Sequence, residues 1–76
     1  MPLGDRNIVG AKVEQRRKEL RLKQRELLEQ LNSDGMLMNA SGLSKLEGQT
    51  RAVTDVELKQ LAVVLGVSLN WLLDLE

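Results

Sequence analysis

Residues 24–48 read QRELLEQLNSDGMLMNASGLSKLEG, and this stretch decides the fold. Its first eight residues repeat leucine at three- and four-residue intervals, which predicts a helix over residues 24–31. The NSDG that follows is the strongest turn signal in the chain, and it opens a predicted loop over residues 32–38. Two leucines before a glycine then predict a second helix over residues 40–48. The stretch therefore predicts two short helices joined by an extended turn.

The outer side of the second helix is a candidate binding surface. Leu43 and Leu46 are its apolar positions, and we expect them to point inward. Ser41 and Lys45 then lie on the opposite face, with Ser44 at its edge. Small polar and basic side chains of this kind can lie against base edges in a major groove. The alternative is an ordinary solvent-exposed face, which the pattern taken alone favours.

The chain on either side predicts three more helices. The spacing of Val9, Val13 and Leu20 indicates one over residues 8–20. The TDVE that begins at Thr54 fits a capping box for another. We assign the cap of the helix over residues 40–48 to Asn39 or Ser41. The helix that follows the capping box has its apolar stripe at Leu58, Leu61, Ala62 and Leu65 and a left-handed end at Gly66. Ser68 caps the last helix.

Composition supports packed helices and excludes several kinds of site. The 76 residues include one Trp and no Cys, His, Phe or Tyr. Disulfides, the usual structural zinc sites and His-dependent catalysis are therefore excluded. We predict an all-α, compact five-helix bundle, a single domain over residues 1–76 with an ordered core at about 8–74, and no enzymatic activity, metal or cofactor. No segment is apolar enough for a signal peptide or a membrane span, so we expect a cytoplasmic protein.

The charge is zero overall but unevenly distributed. Residues 6–25 hold eight basic and two acidic side chains, a net +6, whereas residues 26–76 hold three and eight, a net −5. Salt limits the reach of each charge to roughly 10 Å, so a local basic face can attract phosphates on a neutral protein. A solvated charged helix is the alternative, and composition does not decide between the two.

Two charged residues occupy positions where buried apolar residues are expected. Arg17 lies on the apolar side of the first helix, and Glu47 follows Leu43 by four residues. Because a buried charge is costly unless it is paired, we expect Arg17 and Glu47 to meet across the two helices. The alternative is that both reach water. Gln24, at the start of the second helix, is a weaker candidate, since its amide and the free N–H groups there can hold a phosphate.

Three segments together resemble the Cro/repressor-type (XRE-like) helix-turn-helix family. They read VEQRRKELRLKQRELLEQL, SGLSKLEGQTR and VTDVELKQLAVVLGVSLNWLL, and the resemblance runs from Val9 to Leu73. It implies a lambda-repressor-like bundle with a recognition helix over residues 40–48. The loop over residues 32–38 is longer than the usual turn of that family, a feature that a subset of its members shares.

The resemblance also implies roles for individual residues. Base contacts fall on Ala40, Ser41 and Lys45, joined by Ser44 from the face described above, and backbone contacts fall on Gln24, Gln49, Thr50 and Arg51, with Lys23 among the anchoring basic residues. Arg17 and Glu47 correspond to the structural ion pair of the family. Ala40 and Gly42 stand where longer polar residues often lie, so Lys45 is left as the one long donor on this face.

We therefore expect a sequence-specific regulator of transcription, more a repressor than an activator, that binds duplex DNA. It would act as a homodimer through the last helix, with Trp71, Leu72 and Leu75 at the contact, and without a membrane or a small-molecule substrate. The alternative is a protein-interaction module, such as an antitoxin or a small regulatory subunit. The acidic second half of the chain, the apolar residues 36–38 and Trp71 support that alternative.

Overall fold

A computed structural model describes residues 5–76, so residues 1–4 of the predicted domain lie outside the described part. The described residues form helices and no strand, which confirms the predicted all-α, five-helix fold. The helices are α1 (Gly10–Glu19), α2 (Gln24–Ser33), α3 (Ala40–Glu47), α4 (Asp55–Leu65) and α5 (Leu69–Leu72). None of the helices in residues 5–76 is long and apolar enough to cross a membrane.

The loop between α2 and α3 is shifted from its predicted position. α2 continues to Ser33, two residues beyond the predicted end, so the loop occupies residues 34–39. Gly35 has a φ of 92°, and the Met36 N–H donates to the Leu31 carbonyl oxygen at 2.9 Å, which closes the end of α2. The NSDG signal therefore marks the last turn and the left-handed end of a helix.

The helix caps agree with the sequence in most places. Asn39 caps α3, its side chain accepting a hydrogen bond from the Gly42 N–H at 2.7 Å. The capping box that begins at Thr54, the left-handed Gly66 and the Ser68 cap of α5 are confirmed.

At the end of α3 the left-handed position falls on Gln49 (φ 63°). Gly48, the predicted terminator, has a φ of −80°, which any residue can adopt.

One apolar core joins all five helices. Its buried members are Val9, Val13, Leu27, Leu31, Met36, Leu43, Leu46, Leu61, Ala62, Leu65 and Leu72. α3 packs against α1 and α2, while α4 packs against α1, α2 and α5. Leu20 was wrongly assigned to the apolar stripe of α1, because it follows the last helical turn and is 39% exposed. In the loop, Met36 is buried and Leu37 is 87% exposed.

Candidate nucleic-acid interface

The outward side of α3 is the candidate site. Leu43 and Leu46 are fully buried beneath it, as predicted. The four predicted base-contacting residues are all exposed: Ala40, Ser41, Ser44 and Lys45. Serine hydroxyls donate and accept hydrogen bonds, and a lysine ammonium donates three. The face can therefore offer both polarities of hydrogen bond, together with one positive charge.

Behind this face, Arg17 and Glu47 form the predicted ion pair. The Arg17 Nε donates to Glu47 Oε2 at 2.7 Å, and Nη2 donates to Oε1 at 3.1 Å. A third donor, Nη1, bonds to the Leu22 carbonyl oxygen at 2.9 Å. Hydrogen bonding to the Glu47 carboxylate raises the pKa of Arg17 against the opposing effect of burial. This two-bonded pair fixes the C-terminal end of α3 against α1.

Gln24 belongs to the same cluster. Its Nε2 donates to Glu47 Oε1 at 2.9 Å, so one amide hydrogen is committed to the ion pair and one remains. The sequence predicts a phosphate contact at Gln24, and the structure adds a role in holding Glu47. This bond also places the start of α2 beside the end of α3, and the exposed Lys23 immediately precedes it. The Glu26 carboxylate accepts from the Lys23 N–H at 2.8 Å, so that backbone donor is already occupied.

Thr50 and Gln49 follow α3, and the two side chains behave differently. Thr50 is exposed and donates to the Lys45 carbonyl oxygen through its N–H at 2.9 Å and its hydroxyl at 3.3 Å. Gln49 turns inward instead. Its Nε2 donates to the Asn7 carbonyl oxygen at 3.1 Å, while its Oε1 is buried without a partner among the described residues. The Gln49 amide, a predicted phosphate contact, is thus packed against the segment before α1.

Arg51 is held by an acidic partner. Its Nη2 and Nη1 donate to the two carboxylate oxygens of Glu57 at 2.7 and 3.2 Å. The hydrogen bond from Arg51 lowers the pKa of Glu57, although burial opposes the shift. Glu57 also completes the capping box of α4. Arg51 therefore ties the loop after α3 to α4, and little of its charge is available for a phosphate.

Ion pairing divides the basic side chains of residues 6–25 into two groups. Four are within ion-pair distance of an acid: Lys12 with Asp74, Arg16 with Glu19, Arg17 with Glu47 and Lys18 with Glu14. Arg6, Arg21, Lys23 and Arg25 are exposed and make no ion pair within residues 5–76. Three of these lie at the junction of α1 and α2, so we call Arg21, Lys23 and Arg25 the basic junction.

Two residues near α3 were missed by the sequence analysis. The Asn7 side chain bonds to the start of α1, to the end of α3 and to the loop after α3. Gly10 touches the same end, because a Cβ there would overlap the Leu46 carbonyl oxygen. An asparagine directly before a helix predicted from residue 8 is a recognisable N-cap signal. No comparable signal exists for Gly10, whose constraint arises from a neighbour distant in sequence.

The predicted dimer surface on α5 is only partly exposed. Leu72 is fully buried in the core of the single chain, so its assignment to a subunit contact was wrong. Trp71 is half-buried, with the Lys12 Nζ 4.4 Å from its ring centroid. Leu75 is 71% exposed and Leu69 is 43% exposed. These two leucines are the apolar surface that α5 and the residues after it leave open.

In residues 5–76 no three acidic side chains are grouped so as to hold a metal ion. Compared with known proteins, the chain matches no protein-family model, and no significantly similar sequence was found among curated proteins.

Proposed function

We propose that the protein binds duplex DNA in a sequence-specific manner and regulates transcription as a Cro/repressor-type helix-turn-helix protein. α3 is the recognition helix, and repression by occupancy of an operator is the favoured effect. The protein would act in the cytoplasm, as the sequence predicts. In this proposal Ser41, Ser44 and Lys45 contact base edges, and Ala40 contributes an apolar contact to a thymine methyl group.

The observation that carries this proposal is the support of α3 from behind. A polar helix face without fixed orientation cannot distinguish bases, because hydrogen bonds to base edges need defined geometry. Arg17 and Gln24 both bond to Glu47 at the end of α3. Leu43 and Leu46 hold its inner side in the core. The exposed face is therefore presented on a helix that α1, α2 and the apolar core hold in place.

Phosphate contacts fall on the basic junction. Within residues 5–76 its three side chains make no ion pair, unlike Arg51. Gln24 follows Lys23 in the sequence and bonds to the end of α3, and its second amide hydrogen is a further donor for a phosphate. Contacts of this kind position a protein on the duplex without reading its sequence.

A homodimer suits this function. Two copies would place their α3 helices in successive major grooves roughly 34 Å apart. Leu69 and Leu75 supply the exposed apolar surface for that contact, and the half-buried Trp71 lies between them in the sequence.

Selection of bound duplexes from a random library tests the proposal. We expect enrichment of one near-palindromic sequence, and binding that weakens by roughly 0.9 logarithmic units per decade of salt for each phosphate contacted. A scrambled duplex of the same composition is the control. The absence of any enriched sequence, together with binding that does not respond to salt, would refute the proposal.

A second candidate function is a protein-interaction module. An open groove of about 600 Å³ lies between α2 and α4, with Glu29 and Asp34 beside the partly exposed Val63 and Val64. Leu37 is 87% exposed nearby in the chain. Two results together would favour this function over DNA binding: the duplex selection enriches no sequence, and a protein partner stays bound to the chain at high salt.

A further inference from the structure

Asn7 makes a set of contacts that no other described side chain makes. Its Oδ1 accepts from the N–H groups of Val9 and Gly10 at 3.1 and 2.7 Å. Its Nδ2 donates to the carbonyl oxygens of Leu46 and Arg51 at 3.2 and 2.7 Å. One amide thus uses its two donors and its acceptor at once. The acceptor holds two N–H groups at the start of α1, and the donors hold the end of α3 and the loop that follows.

Hydrogen bonds from the backbone of Arg6 and Asn7 reinforce this contact between the segment before α1 and the end of α3. The Arg6 N–H donates to the Gln49 carbonyl oxygen at 3.0 Å. The Asn7 carbonyl oxygen in turn accepts from the Gln49 Nε2 at 3.1 Å. Gly10 allows the first turn of α1 to touch the Leu46 carbonyl oxygen, since any Cβ would overlap it. The segment before α1 is therefore packed closely against the end of α3.

The position of the Asn7 contact along α3 matters for the proposed base contacts. Asn7 holds the last residues of the helix, whereas Ala40 and Ser41 lie at its exposed start. An eight-residue helix is about 12 Å long at 1.5 Å per residue, so a tilt of about 5° at one end moves the other by about 1 Å. A displacement of that size is enough to misalign hydrogen bonds to bases.

We propose that Asn7 is a positioning residue for base reading, and that its amide donors set the tilt of α3. This inference rests on the proposed function, and it adds a residue outside the helix-turn-helix segment to the determinants of sequence specificity. Asn7 itself touches no base. It acts through Leu46 and Arg51, whose carbonyl groups it holds in place.

Asn7→Asp separates the two halves of this role. The carboxylate keeps the acceptor for the Val9 and Gly10 N–H groups, and a negative charge is favourable at a helix N-terminus, so the start of α1 stays held. Both amide donors are lost, and the carboxylate faces two carbonyl oxygens. Asn7→Ser is the uncharged counterpart, with an oxygen that can cap but no amide. Gln30→Glu makes the same amide-to-carboxylate change at an exposed position on α2, in the groove against α4, and serves as the matched control.

The test measures binding to the selected site and to random duplex, at a temperature where circular dichroism shows each variant folded. We expect Asn7→Asp to raise Kd for the selected site about tenfold and for random duplex by less than about twofold. Asn7→Ser should change the ratio in the same direction, and Gln30→Glu should leave it unchanged. A merely structural role would lower both affinities in proportion to the folded fraction, and that result would overturn the inference.

Amide NMR spectra of the free variants provide a readout that needs no DNA. We expect Asn7→Asp to shift signals of residues 40–51 and to leave those of α4 in place. Unchanged signals over residues 40–51 in a folded variant would overturn the inference. If these signals shift while the wild-type protein binds no duplex, the effect of Asn7 on α3 is supported and the proposed function is refuted.

Discussion

The two ends of α3 differ sharply in how they are held. At the C-terminal end, Leu46 and Glu47 are buried and bonded to side chains from α1, from α2 and from the segment before α1. At the N-terminal end, Ala40 and Ser41 are exposed, and the Asn39 cap is a bond within the helix itself. The comparison teaches that the contacts that stabilise this short helix are concentrated at its C-terminal end. Changes at the first end should alter folding, and changes on the exposed face should alter binding.

Removal of Glu47 should have the largest effect. Glu47→Ala leaves Arg17 in a largely buried site without its partner, since the two side chains are 2% and 10% exposed. We expect the free energy of unfolding to fall by about 3–5 kcal/mol in urea titrations. A double variant, Arg17→Met with Glu47→Leu, should recover most of that loss because no charge remains buried. A loss below about 1 kcal/mol for Glu47→Ala would contradict the anchoring role of the pair.

Matched glycine substitutions compare the two ends directly. Gly10→Ala places a Cβ against the Leu46 carbonyl oxygen, and we expect a loss of about 1–3 kcal/mol in the free energy of unfolding. Gly42→Ala, near the start of α3, meets the flexible Met38 side chain at 3.0 Å. Better helix propensity should offset that contact, so stability should change by less than about 1 kcal/mol. Equal losses of unfolding free energy at Gly10 and Gly42 would contradict the view that one end of α3 is packed more tightly than the other.

Lys45→Ala should weaken binding while the fold stays intact. The side chain is exposed and makes no ion pair within residues 5–76. We expect a loss of about 1–3 kcal/mol in binding to the selected duplex, with reduced discrimination, and a change in unfolding free energy below about 0.5 kcal/mol. Lys59→Ala, an exposed lysine on α4, is the control for charge. If Lys45→Ala lost the same affinity on selected and random duplexes, Lys45 would contact phosphate and not bases.

Glu57 gives the smallest effect, and a pH dependence identifies it. The Arg51 hydrogen bond lowers the pKa of Glu57 from its ordinary value of 4.5, so the folded state binds this proton less readily than the unfolded state. The contribution is complete above that ordinary value and disappears as the pH falls through the lower pKa of the folded state. Glu57→Gln should cost about 1 kcal/mol at pH 7. Urea titrations of both proteins should converge in acid, and a constant difference at all pH values would contradict the pairing.

Local patterns predicted the helices, the caps at Thr54, Gly66 and Ser68, and the exposed face of α3. They succeeded because capping and helix periodicity depend on residues within a few positions of each other. The Arg17–Glu47 pair was also predictable, since two charges at apolar positions need partners. The inward turn of Gln49 was not, because it depends on a segment 42 residues away in the chain.

The role of Arg51 shows the same limit in another form. A basic residue after a candidate recognition helix predicts a phosphate contact, and nothing near it in sequence contradicts that expectation. Glu57 lies six residues further on and was assigned to the capping box alone. Its carboxylate does both tasks in the folded chain, which becomes visible only when the loop after α3 is seen to return to the start of α4.

The contact between Lys12 and Trp71 has a practical consequence for all of these measurements. Trp71 is the one aromatic residue in the sequence, and its ring lies beside α1, where α5 docks. Intrinsic fluorescence therefore reports on the attachment of α5 beside α1. If the proposed dimer forms through α5 and the proposed DNA contact through α3, tryptophan emission should change on dimerisation and stay constant on DNA binding. A titration that also follows a dye-labelled duplex at a second wavelength would then measure the two events separately.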